Sequence, residues 1–301
     1  MRAAAAQPPP ALLRALDLTV RRRVEGLLPG EHRGSGVGSG TEIAQVRPYV
    51  PGDDVRKIDW NVTARTREPH VRVDVPERSL TTWLLLDASA SMAFGTALAR
   101  KADVAAGVAL AVGYLATRRG NRLGVVTFGS SQPRTLLPRQ GRRGLLGLLA
   151  AMATEPEPEG SGATSLAAAL RPAIGLGRRR GLVVLVTDFR GPRGWEQPML
   201  ALSSRHSVLA IEVRDPREQE IPDVGGELLF ADPETGRQLR VDTRKRKLRE
   251  RFAAAAVAER AEVARTLRRA GAEHAVVTTG GDWLRELAAF LGERSHRRGQ
   301  Q

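Results

Sequence analysis

From Thr81 onward, two kinds of hydrophobic pattern take turns along the chain. Short apolar runs are typical of buried strands, whereas apolar residues that recur every three or four positions predict helices with one apolar face. Strands separated by such helices predict an α/β fold, with a mainly parallel sheet covered by helices on both faces. The predicted strands are Thr81–Leu86, Leu123–Phe128, Leu182–Thr187, Ser207–Val213 and Ala275–Thr278, with a hairpin at Glu227–Phe230 and Gln238–Val241. The predicted helices are Ala97–Arg118, Arg142–Met152, Ser165–Leu176, Trp195–Ser204, Arg244–Ala270 and Trp283–Leu291.

The domain organisation follows from where this alternation begins and ends. The first residues carry one amphipathic stretch, Leu12 to Leu28, which predicts an N-terminal helix. The glycine-rich run from Gly34 to Gly40 lacks the preceding strand and the following helix of a dinucleotide-binding loop, so we interpret it as a linker. The predicted organisation is a helix and tail at 1–30, a segment packing on the main domain at 31–80, the main domain at 81–292 and a frayed basic tail at 293–301.

The segment before the main domain carries its own local signals. Pro51-Gly52 predicts a turn, and the two aspartates that follow, Asp53 and Asp54, are each suited to cap a short helical turn. We expect these aspartates to pair with nearby arginines rather than with a metal, and we expect Trp60 to be buried against the main sheet. An edge strand leading into Thr81 is predicted from the alternating residues Val71, Val73 and Val75. We interpret the segment as structural, with a partner-docking surface as the alternative.

Composition narrows the location and the partners. The formal net charge is +14, and the excess is mostly arginine in short clusters such as Arg21–Arg23 and Arg244–Lys247. Aromatic residues do not alternate with these clusters, so a solvated arginine-rich surface is favoured over a nucleic-acid partner. No apolar stretch approaches the roughly 20 residues that cross a bilayer, and cysteine is absent. We therefore expect a cytoplasmic protein with no transmembrane segment.

Side chains with oxygen ligands are found where the predicted strands end. Asp87, Ser89 and Ser91 follow the first buried strand, at the carboxyl end where open α/β sheets bind ligands. Thr164 lies in a loop of small residues, and Asp188 follows another buried strand. Each residue alone is also typical of a helix cap or a turn. Together they form an all-oxygen set, which a hard divalent cation requires, so their joint placement favours a metal site.

The residue types also predict how an ion would be held and used. The hydroxyls of Ser89, Ser91 and Thr164 would bind Mg²⁺ directly, and Mn²⁺ or Ca²⁺ would also suit oxygen ligands. The carboxylates of Asp87 and Asp188 would bind directly or through water and orient those hydroxyls. Two carboxylates roughly neutralise the ion, but neutral inner ligands leave it electrophilic. An open position would therefore favour an anionic oxygen, most simply an Asp or Glu of a partner protein.

These five positions resemble the metal-ion-dependent adhesion site of von Willebrand factor A domains. The run from Arg47 to Trp60 with Ala64-Arg65, and the run from Leu85 to Met92 with Phe94-Gly95, resemble the signature of the domain of unknown function 58 family. The resemblance covers about residues 30–290. It implies a von Willebrand factor A-like (Rossmann-like) α/β domain with a small family-specific N-terminal segment, in a bacterial or archaeal protein. It also implies a MoxR-type AAA+ ATPase as partner, in chaperone-like maturation of other protein complexes or metal insertion into them.

Two other classes of function stay open beside the interaction module. A metal-dependent hydrolase is disfavoured because Asp87 lacks the second aspartate of phosphate-transferring sites and Ser91 lacks a surrounding Gly-x-Ser-x-Gly. The five histidines form no tight ligand motif, and no Gly-x-x-x-x-Gly-Lys-Ser/Thr loop is present to bind ATP. A nucleic-acid-binding basic protein is supported by charge alone. We therefore expect no intrinsic enzymatic activity.

Overall fold

The computed structural model describes residues 45–73, 80–95, 99–117, 121–130, 133–153, 165–177 and 179–298. These residues fall into two compact units, one within residues 30–79 and the other from residue 80 onward. Several features predicted from the sequence lie outside the described residues: the helix from Leu12 to Leu28, the linker from Gly34 to Gly40, Val75 and Thr164.

The smaller unit is built on an antiparallel pair of strands, β1 (Gln45–Pro48) and β2 (His70–Val73). A 3₁₀ turn at Val55–Lys57 and helix α1 (Trp60–Thr66) lie between them in the chain. An aspartate caps each of these helical segments, because their first amide groups have no partner within the helix. Asp54 accepts from Arg56 N, and Asp59 accepts from Asn61 N and Val62 N.

Two of three predictions for the smaller unit are confirmed, and one is wrong. Asp53 pairs with Arg47 through two contacts of 2.7 Å, which confirms that this aspartate faces an arginine. Trp60 is 71% exposed, so its predicted burial is wrong; α1 buries none of its side chains, and Trp60 is its first residue. The strand predicted at Val71 and Val73 is confirmed as β2, which pairs with β1 in a two-stranded sheet.

The larger unit contains a six-stranded sheet. Its strands are β3 (Thr81–Asp87), β4 (Arg122–Phe128), β5 (Thr135–Gln140), β6 (Leu182–Thr187), β7 (Ser207–Arg214) and β10 (Glu273–Thr278). They lie in the order β10-β7-β6-β3-β4-β5. Every neighbouring pair is parallel except β4 and β5, which confirms the predicted α/β class with a mainly parallel sheet. The strand β5 was not predicted, because it has little apolar alternation and contains Pro138, which is tolerated at a sheet edge.

Helices cover the sheet on both faces, as predicted. They are α2 (Lys101–Thr117), α3 (Gly141–Ala153), α4 (Leu166–Ala173), α5 (Glu196–Arg205), α6 (Arg246–Arg269) and α7 (Trp283–Arg298). The predicted frayed tail from residue 293 is wrong up to Arg298, because α7 continues through it. Glutamate and arginine are good helix formers, so the helix extends beyond its apolar face.

The two cores follow from the alternation of side chains along each strand. On one face, Leu84 and Leu86 pack with α2, α3 and α7. On the other face, Trp83 and Leu85 pack with α4, α5 and α6. Burying each large apolar side chain stabilises the fold by about 1.5–3 kcal/mol, so the central strand β3 is held firmly from both sides.

A hairpin separates β7 from the long helix α6. Its strands, β8 (Glu227–Ala231) and β9 (Gln238–Asp242), pair antiparallel, which confirms the predicted hairpin. At its base, the fully buried Thr243 donates from Oγ1 to the Gly226 carbonyl over 2.6 Å and accepts from Val224 N. The base of the hairpin is therefore tied to the chain on both sides of it.

Candidate metal centre

The candidate site lies where the direction of the sheet's connections reverses. The strand β4, which follows β3 in the chain, lies on one side of β3, and the later strand β6 lies on the other side. Such a switch point opens a crevice at the carboxyl ends of the strands, where α/β sheets bind ligands. Asp87 is the last residue of β3, and Asp188 directly follows β6. The fold therefore brings these two carboxylates to one crevice.

The loop after β3 turns tightly enough to bring its two serines together. Asp87 Oδ1 accepts from Ser89 N over 2.9 Å, and Ser89 Oγ and Ser91 Oγ share a hydrogen bond of 3.0 Å. Both serines are buried. The loop lies against the end of β4, where Ala88 N donates to the Phe128 carbonyl.

Gly129, which follows β4, permits this close approach. Its φ is +81°, a conformation that glycine adopts without strain. A Cβ atom at this position would lie 2.9 Å from both Asp87 Oδ1 and Ser89 N. The loop from Asp87 to Ser91 and the end of β4 are therefore packed backbone against backbone.

The second oxygen of Asp87 is held from β6. Thr187 Oγ1 donates to Asp87 Oδ2 over 2.5 Å. Burial and the nearby charge of Asp188 raise the pKa of Asp87 to about 7, against the smaller opposing effect of the hydrogen bonds from Thr187 and Ser89. The carboxylates of Asp87 and Asp188 repel each other in this poorly solvated cleft, and a cation between or beside them would reduce that repulsion.

Asp188 has a buried lysine as its neighbour. Lys101 Nζ lies 2.6 Å from Asp188 Oδ2 and 2.6 Å from Glu218 Oε1, and the lysine side chain is wholly inaccessible to solvent. Burial alone lowers the pKa of Lys101, but the charges of Asp188 and Glu218 outweigh that effect, so its pKa is raised. The other oxygen, Asp188 Oδ1, accepts from Arg190 N. Asp188 is thus fixed by one charged partner and one backbone amide.

Glu218 is itself positioned by a cap at the end of β7. The buried Asp215 accepts from Arg217 N, and Glu218 Oε2 accepts from Asp215 N, which together form a capping box. Thr279 Oγ1 donates to the second oxygen of Asp215 over 2.7 Å. The lysine is therefore held between the ends of β6 and β7.

The residue after Asp188 has an unusual backbone. Phe189 has a φ of +56°, which is uncommon for a bulky side chain and costs free energy. Its ring is buried and packs on Trp195, with ring centres 5.3 Å apart. This packing holds Phe189 in the left-handed backbone conformation, directly after the candidate metal ligand Asp188.

One cleft joins these features. It is lined by both aspartates, both serines and residues of the surrounding loops: Asp87, Ser89, Ser91, Leu166, Thr187, Asp188, Phe189, Gly191, Trp195 and Glu234. Four of the five residues predicted from the sequence thus share one cleft, and Thr164 lies outside the described residues. The metal role of all five stays a prediction.

The donor set fits a hard cation only if the hydroxyls take part. Within the described ranges, no group of three or more His, Cys, Asp or Glu side chains is arranged to hold a metal ion. Adjacent oxygens on an octahedral Mg²⁺ with bonds of about 2.1 Å lie about 3.0 Å apart. The spacing of Ser89 Oγ and Ser91 Oγ is 3.0 Å, so the two serines suit neighbouring positions on such an ion.

Sequence reasoning missed several residues that shape this site. Lys101 stands in register with Val104 and Val108 on the buried face of α2, and a lysine in an apolar stripe is a signal that could have been noticed. Glu218, Thr187 and Gly129 carry no comparable local signal. Their roles depend on which strands are neighbours.

Comparison with known proteins identifies the family. The family model described as "Protein of unknown function DUF58" matches residues 45–262. The chain belongs to the DUF58 family. A relative, the uncharacterized protein Rv1480 of Mycobacterium tuberculosis, is 43% identical over 286 residues, which cover 94% of this chain and 89% of that protein.

Solved structures with a similar chain course include two further proteins. BatB from Bacteroides thetaiotaomicron is 14% identical with a TM-score of 0.47, and the match covers 72% of this chain and 99% of BatB. The SpRpn10 VWA domain is 13% identical with a TM-score of 0.39, and the match covers 69% of this chain and 93% of that domain. Within the described residues, no helix combines the length and the apolar character that a membrane span requires.

Proposed function

We propose that this DUF58 protein is a metal-dependent protein-interaction module. Its adhesion-type site holds Mg²⁺, and an acidic residue of a partner protein completes the coordination. The observation that carries the proposal is the meeting of Asp87, Ser89, Ser91 and Asp188 in one cleft at the switch point of the sheet. A bound divalent cation would supply a Lewis-acidic position for an anionic oxygen from outside.

The charges around the cleft support a bound cation that keeps one coordination position open. Lys101 pairs with Asp188 and Glu218, whereas the donors described for Asp87 are the neutral Ser89 N and Thr187 Oγ1. A divalent ion in the cleft would give Asp87 a positively charged partner. The nearest oxygens that suit direct binding belong to Ser89 and Ser91 and are neutral, so the ion would keep its affinity for an incoming carboxylate.

A binding role agrees better with the cleft than a catalytic role does. The residues that line it include two serines but no histidine or cysteine, and Lys101 is engaged with two carboxylates. The hydrogen bond described for the two hydroxyls joins them to each other, and no histidine lines the cleft to act as their general base. We therefore propose that the site binds rather than turns over its ligand.

The partner and setting that we propose come from the family resemblance. A MoxR-type AAA+ ATPase would supply the ATP hydrolysis for which this sequence has no phosphate-binding loop. The pair would act in the cytoplasm, in chaperone-like maturation of protein complexes. Within this proposal, Mg²⁺ at the cleft couples the module to the ATPase or to its client.

Metal binding is tested first, by calorimetric titration of Mg²⁺ and Mn²⁺ into three proteins. The wild type should bind one ion saturably, and Asp87→Ala should lose that binding. Asp103→Ala is the matched control, because Asp103 is half exposed and pairs with Arg100 on the surface of α2. Binding by wild type that Asp87→Ala leaves unchanged would contradict the proposed site.

Partner binding is tested next with the MoxR-type ATPase from the same organism. Immobilised wild type should capture it in Mg²⁺ and release it in a chelator, and Ser89→Ala should capture less. Replacing the coordinating acid of the partner by its amide should have the same effect. Equal capture with Mg²⁺ and with chelator would overturn the metal-dependent interaction.

A further inference from the structure

A second cleft, which we call the arginine cleft, lies beside the candidate metal cleft. Its wall is formed by the loop after β6, the residues around the end of β7 and one face of α6. It shares Asp188 and Phe189 with the metal cleft. It opens at the carboxyl ends of two parallel strands, which is the edge of an α/β sheet where ligands bind. The proposed metal site makes no use of it.

Three arginines line the arginine cleft, each from a different element. Arg190 lies in the loop after β6, Arg214 is the last residue of β7, and Arg260 is on α6. Burial and the positive charges of Arg214 and Arg190 lower the pKa of Arg260, against the opposing charge of Glu212. Guanidinium groups that share a cleft repel one another unless anions neutralise them.

Two of these arginines already have carboxylate partners. Arg214 donates from Nε and Nη2 to the two oxygens of Glu212, over 2.5 and 2.7 Å. Arg190 donates from Nη1 to Glu259 over 3.2 Å. Each of these carboxylates neutralises its arginine, so neither guanidinium is the strongest attractor for an anion from outside.

Arg260 differs from the other two arginines. Its Nε donates over 3.0 Å to the Ala256 carbonyl, one turn earlier in α6, which fixes the guanidinium on the helix. Within the described residues, no carboxylate forms an ion pair with Arg260. Gln219 also lines the cleft, and the described part of the chain offers its side-chain amide no hydrogen bond. Nη1 and Nη2 of Arg260 and the amide of Gln219 are therefore available as donors.

The acidic residues of the wall are engaged with donors of the protein itself. Lys101 lies 2.6 Å from both Asp188 and Glu218. Asp215 accepts from Thr279 Oγ1 over 2.7 Å. The two glutamates named above are held by arginines. What the wall leaves for a ligand is a set of hydrogen-bond donors, which bind an acceptor.

We propose that the arginine cleft binds the carboxylate of an acidic side chain from a partner protein. The Arg260 guanidinium donates to it from Nη1 and Nη2, in the forked geometry that matches a carboxylate, and the Gln219 amide adds a further donor. A carboxylate carries one negative charge, which matches the one guanidinium that lacks an ion pair. A phosphate dianion would bring a second negative charge toward the carboxylates of the wall.

This inference goes beyond the proposed function, because the arginine cleft needs no metal ion to bind its ligand. The two clefts share a wall, so an acidic partner segment that supplies one carboxylate to the metal would bring a second carboxylate here. Testing the arginine cleft in metal-free protein therefore keeps the two ideas separate.

The experiment follows the arginine Nε–H signals of the metal-free protein by ¹⁵N NMR. The signal that is missing from the spectrum of Arg260→Gln belongs to Arg260. The probe is a glutamate residue blocked at both ends; the blocked glutamine residue is its neutral control, and inorganic phosphate is the rival anion, all at constant ionic strength. Arg237→Gln is the matched control variant, because Arg237 is an exposed arginine outside the cleft.

We expect the glutamate probe to shift the Arg260 signal saturably. The glutamine probe and phosphate should each bind about tenfold more weakly, because they lack the matching charge. Gln219→Ala should weaken binding of the glutamate probe about threefold through the loss of one donor. Arg237→Gln should bind the probe as wild type does.

Three results would overturn the inference. An Arg260 signal that does not shift, or that shifts no more than the Arg237 signal, removes the site. Equal binding of the glutamate and glutamine probes removes the role of the carboxylate, and tighter binding of phosphate removes the ligand class. Because no metal is present, none of these results bears on the candidate metal site, and loss of the metal site would leave the arginine cleft standing.

Discussion

Replacing Lys101 by methionine is the sharpest perturbation of the candidate site. Lys101 Nζ lies 2.6 Å from carboxylate oxygens of both Asp188 and Glu218, whose side chains are 2% and 18% exposed. Methionine keeps the length and apolar stem of lysine, so packing near Phe94 is retained and the main loss is the charge. Breaking a buried ion pair by removing one partner costs about 3–5 kcal/mol.

The surroundings place the expected cost at the lower end of that range. Asp188 keeps its hydrogen bond from Arg190 N, and Glu218 has the Arg190 guanidinium 3.7 Å away. We therefore expect Lys101→Met to lower the free energy of unfolding by about 3 kcal/mol. That is a large share of the 5–15 kcal/mol that is typical of folded proteins.

Urea unfolding in the presence of a chelator measures this loss. Lys247→Met is the matched control, because Lys247 is an exposed lysine in the first turn of α6. Adding Mg²⁺ should restore part of the stability of Lys101→Met, since the ion offers Asp188 another cation. Losses of equal size in Lys101→Met and Lys247→Met would refute the argument that Lys101 neutralises the buried carboxylates.

Two further predictions concern the loop beside Asp87 and the charges at the end of the sheet. Gly129→Ala should be destabilised by more than the control Gly141→Ala in thermal unfolding, and its Mg²⁺ affinity should fall. Both glycines have a positive φ, which costs alanine about 1–2 kcal/mol. A Cβ atom at Gly129 would also lie 2.9 Å from Asp87 Oδ1, whereas a Cβ atom at Gly141 would have no atom within 4 Å. Equal losses of stability in the two variants would contradict the crowding argument. Despite burial, hydrogen bonds from His274 and Arg214 lower the pKa of Glu212 below its usual 4.5. Ionised Glu212 therefore stabilises the fold fully above its usual pKa of 4.5, and this stabilisation is lost as the pH falls through the lower pKa of the folded state. Wild type should lose more stability than Glu212→Gln between about pH 5 and pH 3, and parallel pH profiles would contradict this assignment.

Prediction from the sequence was most accurate for the elements that bury the most apolar surface. The strand Leu182–Thr187 was predicted with its observed bounds. The strand predicted at Thr81–Leu86 extends one residue further, to Asp87. Both strands are buried on two faces, so their sequences are nearly uninterrupted apolar runs. The edge strand β5 has no such run and was missed.

The smaller unit shows where local patterns fail. Trp60 was expected to be buried against the main sheet, yet 71% of it is exposed. The alternation at Val71 and Val73 correctly indicated a strand, but alternation does not name the neighbour of a strand. That neighbour is β1, about 25 residues earlier in the chain.

By itself, the sequence determined the alternation of strands and helices from Thr81 onward, except for β5, and it singled out four residues that line the candidate cleft: Asp87, Ser89, Ser91 and Asp188. These features are local: periodicity reports which face is buried, and three oxygen ligands within five residues share one loop. Only the tertiary structure decided how the charges are paired. Lys101 meets Asp188 87 residues later and Glu218 117 residues later, and Glu234 returns to the cleft on a hairpin. Such contacts depend on the order of strands in the sheet, which hydrophobic periodicity does not encode because it reports burial and not neighbours.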